Sequence, residues 1–288
     1  MARKIKIASG VLNIALHPHS PDIYRSFILD AYALKKPIHL RGDRYGILSL
    51  VHREESGDGF ISGVITTFTR LDSGGSWFDA AQLTEANSAQ LSQINIPDHL
   101  YPNAAAFYFS FDLNIHRLYF QTYSKGKVLS VNQSISLFWG LSQDTSMLAK
   151  YPRPKINAIQ SEAGLNTMFS IPRIKKVRIT INRPNPDVFG DDFEQDIERE
   201  LGESNSRKVV FEFEAEAGES IIPTPGIRKA SEAALDNGLV EVSGRDENGR
   251  VEKSSDGFHR ILQDKFDPEV QTEEQAFRGL IGRRLVGR

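Results

Sequence analysis

Two short groups of residues have the side chains for acid–base chemistry. The first is His17-Pro18-His19-Ser20, whose imidazoles sit two residues apart where a strand gives way to a helix. Such a pair suits proton transfer, and the N-terminus of the following helix favours an anion such as phosphate beside it. The second lies in FYFSFDLNIHRLYFQ, Phe107 to Gln121, which holds Asp112, His116 and Arg117. With Tyr108, an imidazole that moves protons and a guanidinium that steadies a charged transition state would equip the chain to cleave RNA without a metal. His17, His19, His116 and Arg117 are therefore the candidate catalytic residues. In an unbroken strand Asp112 and His116 share a face about 13 Å apart at Cα, so a kink near Asn114 is needed to bring them together. The competing assignment is a solvated strand face that ends in a polar turn.

Other chemistries are excluded. The chain has no cysteine, which removes thiolate ligands, disulfides and a Cys nucleophile. It has no phosphate-binding Gly-Lys-Ser/Thr loop, dinucleotide fingerprint, HExxH or nucleophile elbow, so a nucleotide-hydrolysing motor or Rossmann dehydrogenase is not expected. The acidic runs DDFEQDIERE and FEFEAEAGE suit solvated faces better than a metal site, and neither metal nor cofactor is expected.

Charge supplies the remaining candidates. Residues 1–180 carry 20 Lys and Arg against 13 Asp and Glu, a balance of +7, whereas residues 181–288 carry 15 against 24, a balance of −9. The densest basic run, RIKKVR, contributes Arg173, Lys175, Lys176 and Arg178, with Lys150, Arg153 and Lys155 just upstream. A stripe of this kind suits a nucleic-acid backbone, RNA more than DNA, and its affinity would fall steeply with salt. The final stretch FRGLIGRRLVGR places Arg278, Arg283, Arg284 and Arg288 on a glycine-interrupted apolar pattern, suited to a protein partner or to self-association as an oligomer. The competing assignment there is a frayed terminus.

The elements that must position these residues follow from periodicity. VLNIALHP reads as a strand. Ser20, Pro21 and Asp22 start a helix with Ile23, Phe27, Ala31 and Leu34 along one side. Residues 45–71 form a hairpin, 78–93 a mainly polar helix, and Phe107, Phe109, Phe111, Leu113 and Ile115 the buried side of a further strand. A slip of apolar phase past Ile115 implies a bulge or tight turn over Asn114–Arg117. The order β, α, β, β, α, β over residues 5–113 gives an α+β class with a ferredoxin-like βαββαβ N-terminal unit and one open sheet face. Ser130 and Gln133 are spaced as a capping box for the next helix. Asp191 and Thr224 cap two later helices, and Asn248-Gly249 turns a hairpin.

The expected domains are a ferredoxin-like α+β domain over 1–148, a basic, Pro-containing connection over 149–175, a smaller acidic α+β domain over 176–271 and an Arg-rich tail over 272–288. No stretch approaches the ~20 apolar residues of a membrane span. The N-terminal segment lacks the apolar core of a secretion signal, so a cytoplasmic protein is expected.

YPNAAAFYFSFDLNIHRLYFQ, with the preceding SGGSWFD, resembles a poorly characterised bacterial family found near mobile elements and phage-defence genes. The resemblance implies a bacterial cytoplasmic protein with an antiviral defence or toxin-type role, and it transfers no catalytic residue. The expected function is nucleic-acid binding, with a metal-independent ribonuclease as its catalytic form. The alternative is a noncatalytic assembly or regulatory subunit of a multi-protein defence complex. A pocket for a phosphorylated small molecule near His17 is a third reading.

Overall fold

The computed structural model describes residues 4–16, 21–52, 59–72, 74–183 and 192–285. The chain opens with β1 (Ile5–Ala15), α1 (Pro21–Ala33), β2 (Ile38–Arg41), β3 (Arg44–Val51) and β4 (Phe60–Thr69). An irregular excursion follows, whose described residues include the ladder of β5 (Phe78–Asp79) with β6 (Thr84–Glu85) and the one-turn helix α2 (Ser88–Leu91). Next come β7 (Ala105–Asp112), β8 (Arg117–Gln121), the small hairpin of β9 (Tyr123–Ser124) and β10 (Lys127–Val128), α3 (Val131–Ser142) and α4 (Thr145–Lys150). The remainder comprises β11 (Lys155–Ala158), α5 (Glu162–Phe169), β12 (Arg173–Asn182), α6 (Asp192–Glu203), β13 (Lys208–Glu214) and α7 (Pro225–Asn237). It ends with β14 (Gly238–Asp246), β15 (Gly249–Ser254), β16 (Ile261–Phe266) and α8 (Glu273–Leu285).

Two principal sheets organise these elements. The larger is eight-stranded and antiparallel, ordered β11-β1-β8-β7-β4-β3-β2, with β16 also on β1. The long β1 gives one edge to β8 and divides the other: Ile5–Gly10 pair with β16, and Leu12–Ala15 with β11. Helix α3 touches both β2 and β11, the two ends of this path, so the sheet curls around it. Gly140 permits that approach, because a Cβ there would stand 2.5 Å from Ile38 Cγ2. The capping box of Ser130 and Gln133 starts α3 as the spacing requires.

The inner face of the curl holds the main core. Period-two alternation turns Leu12, Ile14, Phe107, Phe109, Phe111, Leu118 and Phe120 toward Tyr24, Phe27, Leu137 and Phe138 of α1 and α3. Each such fully buried side chain contributes roughly 1.5–3 kcal/mol, which makes this the dominant stabilising layer. The expected stripe of Ile23, Phe27, Ala31 and Leu34 packs on this core, with Tyr24 and Ile28 buried beside it. The second sheet is ordered β13-β12-β14-β15. Its Val177, Ile179, Ile181, Val240 and Val242 pack against Leu165 and Met168 of α5 and Ile227, Ala234 and Leu235 of α7.

The α+β class holds, but the pairing departs from a ferredoxin-like unit. Residues 78–93 do not supply a crossover helix, so β7 returns beside β4 as an antiparallel neighbour, and β1 pairs with β8 instead of inserting between them. The expected open face is also covered. Phe277, Leu280 and Ile281 of α8 and Leu262 and Phe266 of β16 pack on Ile7, Val11 and Tyr119. The interval expected as a connection contains β11 and α5, and the chain beyond residue 260 returns to the first sheet as β16 and α8. Among the described residues no helix is long and apolar enough to cross a membrane.

Candidate functional site at the seam between the sheets

Asp112 ends β7, Arg117 opens β8, and the two are register partners across the turn Leu113–His116. Asp112 Oδ1 accepts the amides of Asn114 at 2.9 Å and Ile115 at 3.3 Å, which closes the turn. Burial pushes the Asp112 carboxyl up, against the opposing pull of those amides and of Arg117. His116 completes the turn with φ of 58°. That left-handed backbone sends its ring to the opposite face from Asp112, where it stacks on Tyr24 with centroids 3.8 Å apart. It is 1% exposed, its carbonyl accepts the Ile14 amide at 3.1 Å, and the Tyr24 hydroxyl accepts the Leu16 amide at 3.4 Å. His116 is thus a core side chain locking α1 to β1.

Arg117 stays on the outer face. Its side chain is 5% exposed and forms an ion pair with Asp236, itself 40% exposed, in the last turn of α7. This pair joins the first sheet to the second unit. A row of polar residues continues from it: Asn13 is in register with both Arg117 and Asn157, and Ala15 is opposite Lys155. The end of β12 meets this row. Asn237 donates to the carbonyls of Asn182 at 3.2 Å and Arg183 at 2.9 Å, and the Arg183 amide donates to the Arg207 carbonyl at 3.0 Å.

Three cations gather there. Burial, and then the positive charges of Arg207 and Arg183, hold the Lys155 ammonium below the usual lysine range. Arg183 lies against the C-terminal turn of α6, where a Cβ on Gly202 would come within 3.3 Å of its guanidinium. The negative end of the helix dipole favours a cation at that place. Among the described residues the carboxylate paired with this group is Glu198, 3.5 Å from Arg183, which offsets one of the three positive charges.

The other sequence candidates do not converge on this point. His17, His19 and Arg288 lie outside the described residues, as does the proposed cap Asp191. Lys150 pairs with Asp30 at 2.8 Å, and Arg153 is exposed in a turn with φ of 58°. Arg173 is exposed at the start of β12, and Lys175 donates to the Glu219 carbonyl. Lys176 sits 2.6 Å and Arg178 3.9 Å from Glu212, because β13 aligns Glu214 with Lys176 and Glu212 with Arg178. Within RIKKVR, Lys176 and Arg178 are therefore offset by a carboxylate of the neighbouring strand, while Arg173 stays exposed. In α8, Arg278 pairs with Glu274 at 2.8 Å and Arg283 with Asp264, while Arg284 belongs to the same helix. The apolar stripe of this helix, expected to meet a partner or to fray, is buried within the chain. Sequence inspection passed over Arg183, Arg207 and Asp236, which stand outside any basic run or motif. Among the described residues no three His, Asp or Glu side chains come together at metal-binding spacing.

Fold and site together define an α+β protein with a curled antiparallel sheet, a second smaller sheet and a cationic cluster on the seam between them. The model of a family described as a domain of unknown function, DUF4747, matches residues 5–282, and the chain belongs to that family. No curated protein matches it.

Proposed function

We propose that the protein binds the phosphate backbone of a nucleic acid at the Lys155, Arg183 and Arg207 cluster and does not cleave it. The observation that carries this reading is the gathering of three cations where β11, β12 and β13 meet, with the Lys155 ammonium disfavoured by burial and then by the charges of Arg207 and Arg183. A phosphate placed among them would relieve that repulsion, and each cation engaged would release counterions. A catalytic role for the described candidates has little support, since His116 is enclosed and Arg117 is committed to Asp236. The resemblance to a family found near phage-defence genes adds a bacterial, cytoplasmic setting and a defence- or toxin-type role to the proposal, with RNA as the preferred ligand.

The test measures binding of single-stranded RNA and DNA by the full chain across a salt series. The expected result is salt-sensitive binding whose log–log slope falls by about one for each of Lys155→Ala, Arg183→Ala and Arg207→Ala, with no cleavage products. Absence of salt-sensitive binding in low salt, or a triple variant that binds like the parent, overturns it. A second reading, the noncatalytic assembly subunit, is favoured by one feature: the uncovered face of the second sheet sets Lys176 and Arg178 among Glu212 and Glu241, a mixed-charge surface suited to a protein.

A further inference from the structure

The β2–β3 turn and the excursion between β4 and β7 enclose a half-open groove of about 560 Å³. That volume is within the range of small-molecule sites. Tyr45 and Tyr101 line it, and Phe68 is sandwiched between them, with centroids 6.4 Å from Tyr45 and 4.6 Å from Tyr101 and rings nearly parallel. The walls are tied together before any ligand arrives. The Arg70 amide donates to the Asp43 carbonyl at 2.8 Å, and the Thr69 amide to the Pro102 carbonyl at 2.9 Å.

The charge of the groove selects its ligand. Asp43, Asp72 and Asp98 line it against one cation, Arg70, whose guanidinium carbon lies 5.8 Å from the centre of the Tyr45 ring. Asp72 holds the Gly74 amide at 3.0 Å, while the carboxylates of Asp43 and Asp98 take part in no ion pair among the described residues. A phosphorylated ligand would be repelled here, and an uncharged apolar one would bury carboxylates without compensation. A single ammonium would leave the groove negative. A chain of methylenes carrying two or more ammonium groups satisfies both features, with its cations against the carboxylates and its stem along the aromatic and aliphatic lining.

We propose that this groove is a binding site for a linear aliphatic polyamine. The site is separate from the cationic cluster on the seam, and the proposal stands whatever that cluster binds. Calorimetric titration of the full chain with putrescine and spermidine tests it, with 1,4-butanediol as the uncharged analogue and N-acetyl-lysinamide as the single ammonium of a protein side chain. Saturable polyamine binding is expected, weakened roughly tenfold or more by Asp98→Asn and by Tyr101→Leu. Glu200→Gln, on the exposed face of α6, should leave it unchanged. Tyr101 is 37% exposed and Asp98 is exposed, so both variants should melt with the parent, and Asp43→Asn repeats the test should either fail to do so. Three results overturn the proposal: no saturable binding, equal affinity in the groove variants, or N-acetyl-lysinamide binding as tightly as putrescine, which would make the groove a receptor for a protein side chain.

Discussion

The Arg117–Asp236 pair should be an energetic tie between the two sheets, and Asp236→Asn isolates it. Removing one partner of a fully buried pair costs about 3–5 kcal/mol, whereas an exposed pair contributes about 0–1 kcal/mol. Here Arg117 is 5% exposed and Asp236 40%, so the expected loss lies between those limits, at about 2 kcal/mol. The nearby Asp112 carboxylate, which faces Arg117 across the turn, keeps the loss from the upper limit. At about 2–4 °C per kcal/mol for a chain of this size, the melting temperature should drop by about 4–8 °C. Arg117→Met removes the buried charge itself and lets Asp236 return to water. The double variant should therefore be more stable than the sum of the two single losses implies, by at least about 1 kcal/mol.

Thermal melts followed by near-ultraviolet circular dichroism give the totals, and a urea series gives the coupling energy. Hydrogen exchange supplies a local readout, because a weakened seam should raise exchange in β12 to β15 before it does in β7 and β8. A shift of under about 1 °C for Asp236→Asn, or strictly additive effects in the double variant, would refute the claim that the two units are held by a sheltered charge pair.

Asp112→Asn should flatten the pH dependence of stability. The folded carboxyl is raised by burial, so the native state binds its proton more tightly than the unfolded chain, and stability falls as pH rises from about 4 through the raised value. The Asn oxygen can still accept the Asn114 and Ile115 amides, and urea midpoints across that window measure the difference. Asp144 has the opposite sign: hydrogen bonds from Lys36 and then Ser146 hold it down at about 2, so its contribution is present above the ordinary carboxylate range and lost as pH falls toward 2. Asp144→Asn should remove that acid-side loss. His116→Ala should lower stability by about 1–3 kcal/mol through loss of the Tyr24 stack and strain at its left-handed backbone, and leave the salt dependence of RNA binding untouched. Gly140→Ala should cost about 1–3 kcal/mol, and Ile38→Ala in the same chain, which removes the methyl that the new Cβ meets, should make the double variant more stable than the sum of the two single losses implies, as read from denaturation midpoints.

The parts of the fold that were legible in the sequence are those decided by neighbours in the chain. Alternation marked Phe107, Phe109 and Phe111 as core, Ser130 with Gln133 marked a helix start, and Thr224-Pro225 marked another. His116 shows where such reasoning stops. Counting by twos put it on the face of Asp112, and one residue of left-handed backbone at the turn moved it to the other. The tight turn itself was signalled by the slip of apolar phase, but which face its last side chain would join was not.

Electrostatics depended on a longer reach. RIKKVR reads as a basic stripe and FEFEAE as an acidic one, and each reading is sound until β12 and β13 pair in antiparallel register and set Glu212 beside Lys176 and Arg178. Lys155, Arg183 and Arg207 show the converse. No two of them share a run, yet strand ends from both sheets bring their charges together, with Glu198 the carboxylate paired to them among the described residues. Coulomb energy depends on separation in space, so a tally of charge along the chain locates a phosphate site only where the pairing of strands preserves sequence neighbourhoods. In this fold the pairing reverses them, and the densest basic run becomes the poorer candidate while three scattered cations become the better one.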